Sequence, residues 1–471
     1  MIVLWPLGRG RRVYLELRAR PKSGARSEGP GSVAFEHEPQ NLNLSWSPPA
    51  GHSDNNGRCE AVRRIRNRVA GLDVHRDSVT GCVEVFDGVD VEVTKQKFST
   101  TATGIRELAD WLAIFEVELV VMEATGVYWK PVYYGLEDLF DEVWLVNAHH
   151  VKNVPGRKTD MSDAQWLADV AAHGMVRPSM VPPPDIRALR ELTRYRRTQV
   201  QARGVEIQRL EKLLQDAGIK LTSVASKVWS KSSRAMIEML ISGHADPAAL
   251  AELAKGRMRS KIPALTEAME SRWRPHHTVV ARRILAHIDF LDSTIATLSD
   301  EIVERLHPFD PLIELWTTIP GVNTLTAQIM LAEIGADMAR FPTAGHRAAW
   351  AGVAPASHES AGKRRPAGTR HGSRHLRQAL IEAARAASRT KGTFLAARYG
   401  RITRRRGPNK AAVAIAHTIL VSAWHMATTG ETYVDLGEDF YTTRQNPARR
   451  VNHHVRQLEA AGYTVTIAPA A

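Results

Sequence analysis

The chain has 471 residues, and its 63 Lys and Arg outnumber its 50 Asp and Glu, for a formal net charge of +13. This charge indicates a polyanionic partner, above all nucleic acid, because basic side chains that meet phosphates release condensed counterions. The longest apolar stretch, 411–424, contains polar interruptions that predict a core helix and argue against a membrane span. The two cysteines argue against a disulfide framework or a thiolate zinc site and fit a reducing cytoplasm, so we expect a cytoplasmic protein with no membrane partner.

Residues 1–66 precede the first periodic segment. They mix Pro, Gly, Ser and Arg without a sustained spacing of apolar residues, which predicts a disordered N-terminal extension. We expect the functional chain to begin near Val62 to Val69.

Residues 67–180 have the pattern of an α/β domain. Runs rich in β-branched residues predict three strands joined by short turns, followed by strands that alternate with helices. The expected strands are 71–74, 80–86, a third through Val91 and Val93, 117–122 and 143–146, and the expected helices are 103–113, one from about Tyr128, and 161–172. Three antiparallel strands followed by βαβ units is the order of an RNase H or RuvC-like sheet.

Prolines at 178 and 182–184 mark a domain boundary near 180, and residues 185–308 are predicted to be all-α. Within this region apolar residues alternate spacings of three and four, which is a heptad seam. The seam consists of Ala281, Ile284, Ile288, Leu291, Ile295, Leu298 and Ile302. Two interpretations stay open, a helix packed inside its own bundle or a coiled-coil arm that pairs protomers into a homo-oligomer, dimer or tetramer.

Prolines at 308, 311 and 320 mark a second transition, into a mainly α-helical unit over 309–430. The remaining residues, 431–471, are predicted to form a tail. In this tail a helix begins at Pro447 and stops at Gly462, and a final strand covers 463–467.

Four acidic residues of the α/β region stand out against the basic background: Asp73, Glu123, Asp160 and Asp163. Asp73 lies among apolar strand residues, where a carboxylate is costly to desolvate unless a cation compensates it. Glu123 ends the fourth strand, at the carboxyl end where open α/β sheets bind ligands. Asp160 and Asp163 share one helix face and could hold one metal, or act only as an N-cap and a first-turn acid. A pair of divalent metal ions would compensate all four carboxylates.

Basic residues are concentrated in the C-terminal unit. Residues 363–377 contain six Lys or Arg and no acid, namely Lys363, Arg364, Arg365, Arg370, Arg374 and Arg377. A second cluster consists of Arg404, Arg405 and Arg406. Because unrelieved like charge destabilises a fold that has no polyanion, both clusters predict nucleic-acid binding.

The turn 319–327 resembles a helix-hairpin-helix, in which backbone N–H groups at a helix start hold a phosphate. Asn323 stands where a second hairpin glycine is expected, and Asn tolerates the left-handed backbone that such a turn needs. A plain helical turn and a DNA contact both stay open.

The segments Gly-Leu-Asp-Val-His, Met-Glu-Ala-Thr-Gly and Lys-Thr-Asp-Met-Ser-Asp around the four acids resemble those of the DEDD-type insertion-sequence transposases, the one-ten family. The resemblance spans about 69–467 and implies a RuvC-like N-terminal domain followed by a separate C-terminal transposase domain. It implies that the four acids bind Mg²⁺, or Mn²⁺ in its place. It also implies that Ser360, by itself an ordinary loop hydroxyl, is a nucleophile, because the family places a serine between a Gly-x-Ala-Pro segment and a basic stretch.

The resemblance therefore predicts an enzyme, a DNA transposase that cleaves and exchanges strands by serine attack on a phosphodiester, assisted by the metal-bound acids. It implies DNA as substrate and a structured guide RNA that bridges donor and target DNA. Three alternatives stay open: a site-specific DNA invertase of the pilin-inverting type, a RuvC-like junction nuclease that needs the acids but not Ser360, and an inactive nucleic-acid-binding scaffold.

Overall fold

The computed structural model describes residues 63–148, 151, 154, 162–356, 359–360, 362–364, 367–443, 447–462 and 464–465. Asp160, Arg365, nearly all of the predicted N-terminal extension and most of the predicted final strand lie outside the described residues. The last four residues of the predicted extension, 63–66, are described. The backbone N–H groups of Ile65 and Arg66 donate to the carbonyl of Ala172, so these residues pack against the α/β domain.

The α/β domain is built on one five-stranded sheet. Its strands are β1 Arg68–Val74, β2 Ser78–Phe86, β3 Val91–Ser99, β4 Leu119–Glu123 and β5 Glu142–Val146, and its helices are α1 Ala102–Ile114, α2 Trp129–Leu136 and α3 Asp163–Ala172. The order is β3-β2-β1-β4-β5, in which the first three strands are antiparallel and β1, β4 and β5 are parallel. This order confirms the predicted RNase H or RuvC-like sheet.

The two faces of the sheet pack against different helices. Leu72 and Met122 belong to the core that includes α1 and α2, whereas Val69 and Val121 belong to the core that includes α3. This division follows from the alternation of side chains along a strand. Each face of the central strands is therefore covered, which explains why β1 and β4 are apolar almost throughout.

Two long antiparallel helices dominate the middle of the chain. The helices of this region are α4 Pro184–Asp216, α5 Leu221–Val224, α6 Lys231–Ile241, α7 Pro247–Glu252, α8 Ile262–Met269 and α9 Pro275–Leu306. The short helices α5 to α8 lie between the ends of α4 and α9, around a core that contains Leu240 and Met269. The middle region is therefore a helical hairpin with a small helical bundle at its tip.

The heptad seam of α9 packs against α4 of the same chain. Ala281, Ile288 and Ile302 of the seam are buried. Polar links join the same two helices, since Arg203 pairs with Asp292 and Arg196 Nε donates to Ser299 Oγ at 2.6 Å. The first of the two interpretations, packing within the chain, accounts for these contacts, and an arm that pairs protomers stays a prediction.

The C-terminal unit is mainly helical, as predicted. Its elements are α10 Asp310–Thr317, α11 Thr324–Ile334, α12 Ala344–Trp350, β6 Glu359–Ser360, β7 Lys363–Arg364, α13 Arg374–Ala387, α14 Phe394–Arg406, α15 Pro408–Thr429, α16 Phe440–Thr443 and α17 Pro447–Ala460. The buried Trp316 donates its indole N–H to the carbonyl of Ala423 at 2.9 Å, which ties α10 to α15. The tail helix α17 begins at the predicted proline.

Helix α15 is the central helix of this unit. Within the described part of the chain it is the one helix whose length and composition suit a membrane span, but just over half of its most apolar window is buried in the protein. Ala412, Ile415, Ile419 and Met426 are among its buried residues. The prediction of a core helix over 411–424 is confirmed.

The turn before α11 differs from the expected helix-hairpin-helix geometry. Asn323 has an extended backbone (φ −96°, ψ 172°), and its side chain accepts the N–H of Thr326 at 2.9 Å. Asn323 therefore does not use the left-handed backbone that it would tolerate, because it acts as the N-cap of α11. Gly321 has the positive φ of 86°, and a Cβ there would lie 2.4 Å from the carbonyl oxygen of Ala383 in α13. This turn packs against α13.

Candidate functional site

Asp73 and Glu123 lie next to each other at the carboxyl end of the sheet. The parallel pairing of β1 and β4 runs to Leu72 opposite Met122, and the two acids are the next residue on each strand. Neighbouring strands are about 4.8 Å apart, so paired residues share one face, which here is the face covered by α3. The side chain of Asp73 is 32% exposed. The strand ends thus hold two carboxylates side by side at the margin of the core.

Asp163 comes to the same end of the sheet because of the direction of α3. The carboxyl end of this helix lies beside the residues before β1, where Ala172 accepts two backbone N–H groups. Its first turn lies on Gly71, since a Cβ on that glycine would be only 2.0 Å from the carbonyl oxygen of Ala164. Asp163 is the exposed first residue of the helix, after the N-cap Ser162. It therefore lies over the end of β1 that carries Asp73.

The structure thus brings Asp73, Glu123 and Asp163 together from three separate elements, and Asp160 is outside the described residues. Asp73 is 3.2 Å from Nε2 of His75, and Glu123 accepts a long hydrogen bond of 3.4 Å from Thr125. Among the described residues, neither Asp73 nor Glu123 forms an ion pair with Lys or Arg. Carboxylate oxygens without such partners fit a hard divalent cation.

The buried acid Glu84 shows how the same domain treats a carboxylate that has a partner. Glu84, at the opposite end of the sheet, is only 3% exposed and pairs with Arg64 at 2.7 Å. Burial raises the pKa of Glu84, although the hydrogen bond and charge of Arg64 oppose that shift. Glu84 therefore serves the fold, whereas Asp73 and Glu123 have no arginine partner among the described residues.

A different group of potential metal ligands lies at the tip of the helical hairpin. The ligand atoms of Asp216, His276 and His277 lie within 4.8 Å of one another. Nδ1 of His277 accepts the backbone N–H of Arg274 at 3.0 Å, so the ring proton is on Nε2, which donates to Asp216 at 3.1 Å. A metal on Nε2 would move the proton to Nδ1, where it would oppose the N–H of Arg274. We assign this group to the joining of α4 and α9.

Ser360 lies on a short β-hairpin. Its backbone pairs with Lys363 across β6 and β7. The legs of the hairpin are joined where Ala356 N–H donates to the carbonyl of Gly368 at 2.9 Å. In the described part of the chain, β6 and β7 are not among the elements that pack against β1, β4 or α3. The structure therefore does not place the serine hairpin on the acidic end of the sheet.

The predicted phosphate-binding residues follow this hairpin. Arg370 and Arg374 are exposed and Arg377 is partly buried, while Lys363 is exposed on β7. Arg374 and Arg377 line an open groove of about 290 Å³, whose other lining residues are Gln378, Ile381, Glu382 and Arg385. The second cluster, Arg404 to Arg406, is exposed in the last turn of α14, where positive charge also complements the helix dipole. Arg364 is on β7, and Arg365 lies outside the described residues.

Residues of α4 that sequence reasoning missed extend this positive surface. Arg197 lies 3.9 Å from Glu382 at the edge of the groove. The pKa of His375 is lowered by burial and then by the charges of Arg194, Arg374 and Arg197, which indicates a locally positive potential. The signal in the sequence was the stripe of arginines at 187, 190, 194 and 197, whose spacings of three and four place them on one helix face.

Comparison with known proteins assigns both regions to one family. A family model of DEDD-type IS110 transposases, described as "Transposase", matches residues 70–219. A second one, described as "Transposase IS116/IS110/IS902 family", matches residues 313–400. The chain belongs to the IS110 family of transposases. The first matched region of this IS110-family transposase contains the acidic end of the sheet, and the second contains the Ser360 hairpin.

Similar proteins carry consistent names. The IS110-family chain is 26% identical over 378 residues to "Transposase for insertion sequence element IS1111A" of Coxiella burnetii, covering 78% of this chain and 91% of that protein. It is 26% identical over 322 residues to "Probable family 20 transposase" of Pseudomonas aeruginosa, covering 67% and 85%. Among solved structures, Thermus thermophilus RuvC matches with 14% identity and a TM-score of 0.19, over 24% of this chain and 99% of RuvC.

Proposed function

We propose that this transposase, an enzyme that acts on DNA, cleaves and exchanges DNA strands by attack of Ser360 on a phosphodiester. In this proposal Asp73, Glu123, Asp160 and Asp163 hold a divalent metal, Mg²⁺ or Mn²⁺, at the carboxyl end of the sheet. The observation that carries the proposal is the meeting of acids from β1, β4 and α3, two of which have no Lys or Arg partner among the described residues.

The chemistry follows from these groups. The serine hydroxyl must lose its proton as the Oγ–P bond forms, and the departing sugar oxygen must gain a proton as its bond to phosphorus breaks. A bound divalent metal supplies charge neutralisation at the phosphate. Lys363, Arg370, Arg374 and Arg377 bind neighbouring phosphates and hold the strand in place. Because β6 and β7 are not among the described elements that pack closely on β1, β4 or α3, we propose that the two parts meet across protomers of a dimer or tetramer.

The partners are DNA and a guide RNA that bridges donor and target, and the complex acts in the cytoplasm. Support for RNA guidance comes from the two basic clusters, whose Lys and Arg residues form no obvious base-reading pattern. Residues of this kind bind phosphates and leave the choice of sequence to base pairing.

A covalent adduct tests the role of Ser360. The wild-type protein is expected to form a protein–DNA adduct that survives denaturation when it is given a nicked substrate that cannot be religated. Ser360→Ala is expected to form none, while Ser357→Ala, which changes the other serine of the same segment, forms it normally. Adduct formation by Ser360→Ala would overturn the assignment. DNA cleavage without any adduct would favour a RuvC-like junction nuclease, and inversion without excision would favour a pilin-type invertase.

The phosphate contacts have a separate signature in salt dependence. Arg374→Gln and Arg377→Gln are each expected to weaken DNA binding equally for all sequences and to reduce the slope of log K against log salt by about 0.9. Fluorescence anisotropy at several salt concentrations measures this slope. The control is Arg259→Gln, at an exposed position in the bundle at the tip of the helical hairpin formed by α4 and α9. An unchanged slope in the first two variants would remove these arginines from the interface.

A further inference from the structure

Glu333, near the end of α11, is a buried acid at the meeting point of three helices. Its side chain is only 1% exposed. Arg194 of α4 binds it with two parallel hydrogen bonds, from Nε to Oε1 and from Nη2 to Oε2, both 2.8 Å long. This bidentate geometry is the strongest arrangement of an Arg–carboxylate pair. The pair joins two elements that are 139 residues apart in the chain.

The same carboxylate also controls the start of α13. Ser373 is the N-cap of that helix, and its hydroxyl donates to Oε2 of Glu333 at 2.8 Å. The hydroxyl oxygen accepts the backbone N–H of Leu376 at 3.3 Å. Because a hydroxyl has only one proton, its donation to Glu333 leaves the lone pairs for the helix N–H. Glu333 therefore orients the cap of the helix that carries Arg374 and Arg377.

A third contact fixes the end of α11 itself. Arg190 of α4 donates to the carbonyl oxygens of Ala332 at 3.2 Å and Glu333 at 2.6 Å. The last carbonyls of a helix have no partner within the helix, so this arginine satisfies them and complements the helix dipole. Burial alone would raise the pKa of Glu333, but Arg194, Ser373 and Arg190 outweigh it and lower the pKa. The acid is therefore ionised at neutral pH.

The segment that enters Ser373 is the second leg of the Ser360 hairpin. Arg370 N–H donates to the carbonyl of Ala354, and a Cβ on Gly372 would lie 2.4 Å from the backbone N of Gly352. Both legs are thus in backbone contact directly before the N-cap. A displacement of Ser373 would therefore change the direction in which the hairpin projects.

We infer that Glu333 is a positioning residue, which fixes the base of the Ser360 hairpin and the first turn of α13 relative to α4. The inference rests on the proposed function, because Ser360 is the group that is positioned. A buried ion pair is seldom a net source of stability, since desolvation offsets much of the attraction. The value of this pair lies in holding the three helices in one arrangement.

A second ion pair of α4 supplies a matched control. Arg187 binds Glu137 with two hydrogen bonds of 2.9 Å and 2.6 Å, and the two side chains are 13% and 21% exposed. That pair ties α4 to the end of α2 in the α/β domain, and in the described structure neither side chain is hydrogen-bonded to the hairpin. Glu137→Gln therefore removes a comparable ion pair while leaving the base of the hairpin intact.

Hydrogen–deuterium exchange of the full-length protein tests the inference. In Glu333→Gln and in Ser373→Gly, amides of 354–356 and 368–377 are expected to exchange at least about tenfold faster, while those of β1 and β4 keep the wild-type rate. Glu137→Gln is expected to leave the hairpin unchanged. If Glu333→Gln fails to fold, Ser373→Gly decides, because Gly at an N-cap costs only a few tenths of a kcal/mol relative to Ser. The inference would be overturned if the hairpin amides of Ser373→Gly exchanged at the wild-type rate, or if the exchange rate rose equally throughout the protein.

Activity provides the second readout. Turnover at saturating DNA is expected to fall at least about tenfold in Glu333→Gln, because small displacements of reacting groups have large effects on rate. If Glu333→Gln makes the hairpin mobile but Ser360→Ala still forms the adduct, Glu333 is a positioning residue and Ser360 is not the nucleophile. If the adduct depends on Ser360 but Glu333→Gln leaves both the hairpin exchange and the turnover unchanged, the positioning role of Glu333 is refuted and the role of Ser360 stands.

Discussion

Replacement of Asp73 by Asn is expected to lower the rate of DNA strand transfer by at least about a thousandfold, because it removes one charged ligand from the proposed metal site. Asn has the same shape as Asp, and the substitution weakens a single 3.2 Å pair with His75. The thermal unfolding of the variant should therefore match that of the wild type. Single-turnover assays with labelled DNA measure the rate, and circular dichroism measures the unfolding.

The control is Asp77→Asn, which changes an acid after the same strand. Its side chain is 86% exposed and lies 3.6 Å from Arg76, so its rate should equal the wild-type rate. Calorimetric titration with Mn²⁺ adds a readout independent of DNA, in which Asp73→Asn binds more weakly and Asp77→Asn does not. Wild-type strand transfer by Asp73→Asn would refute the acidic site.

Much of the α/β domain could be predicted because its signals are local. β-branched runs identify the strands, and the rules for right-handed, uncrossed connections leave few sheet orders for three antiparallel strands followed by βαβ units. Glu123 could be placed at the carboxyl end of its strand for the same reason, whereas the sequence left Asp73 either mid-strand or at a strand end, and in the structure it is the last residue but one of β1. The heptad seam was a weaker guide, because an apolar stripe of this width packs equally well on α4 of the same chain or on another protomer.

The residues that the sequence did not reveal depend on contacts between distant segments. Glu333 looks like an ordinary surface acid in Leu-Ala-Glu-Ile-Gly, and only the approach of α4 and α13 makes it a buried link. Arg347 would be assigned to the surface, yet it is fully buried, and burial lowers its pKa to about 9. Among the described residues its Nε and Nη2 atoms have no hydrogen-bond partner.

Gly71 is the clearest case of a residue whose role the sequence hides. A glycine inside a strand normally weakens it, and nothing in the sequence tells which helix comes close. Gly71→Ala is expected to lower the free energy of unfolding of the α/β domain by about 3 kcal/mol, at the upper end for overpacking. The reason is that the new Cβ would lie 2.0 Å and 2.6 Å from backbone atoms of Ala164 and Ala168, which no side-chain rotation can relieve.

The same substitution should separate stability from catalysis. If α3 moves by about 1 Å to admit the Cβ, Asp163 moves with it, and strand transfer should fall by about a hundredfold even at temperatures where the protein is folded. Gly204→Ala in α4 is the control, because a Cβ there meets nothing within 4 Å and should stabilise the helix by about 0.5–1 kcal/mol. Urea unfolding and single-turnover assays measure the two quantities. A stable and fully active Gly71→Ala would mean that α3 can shift without consequence, and the position of Asp163 over β1 could then not be essential to the reaction.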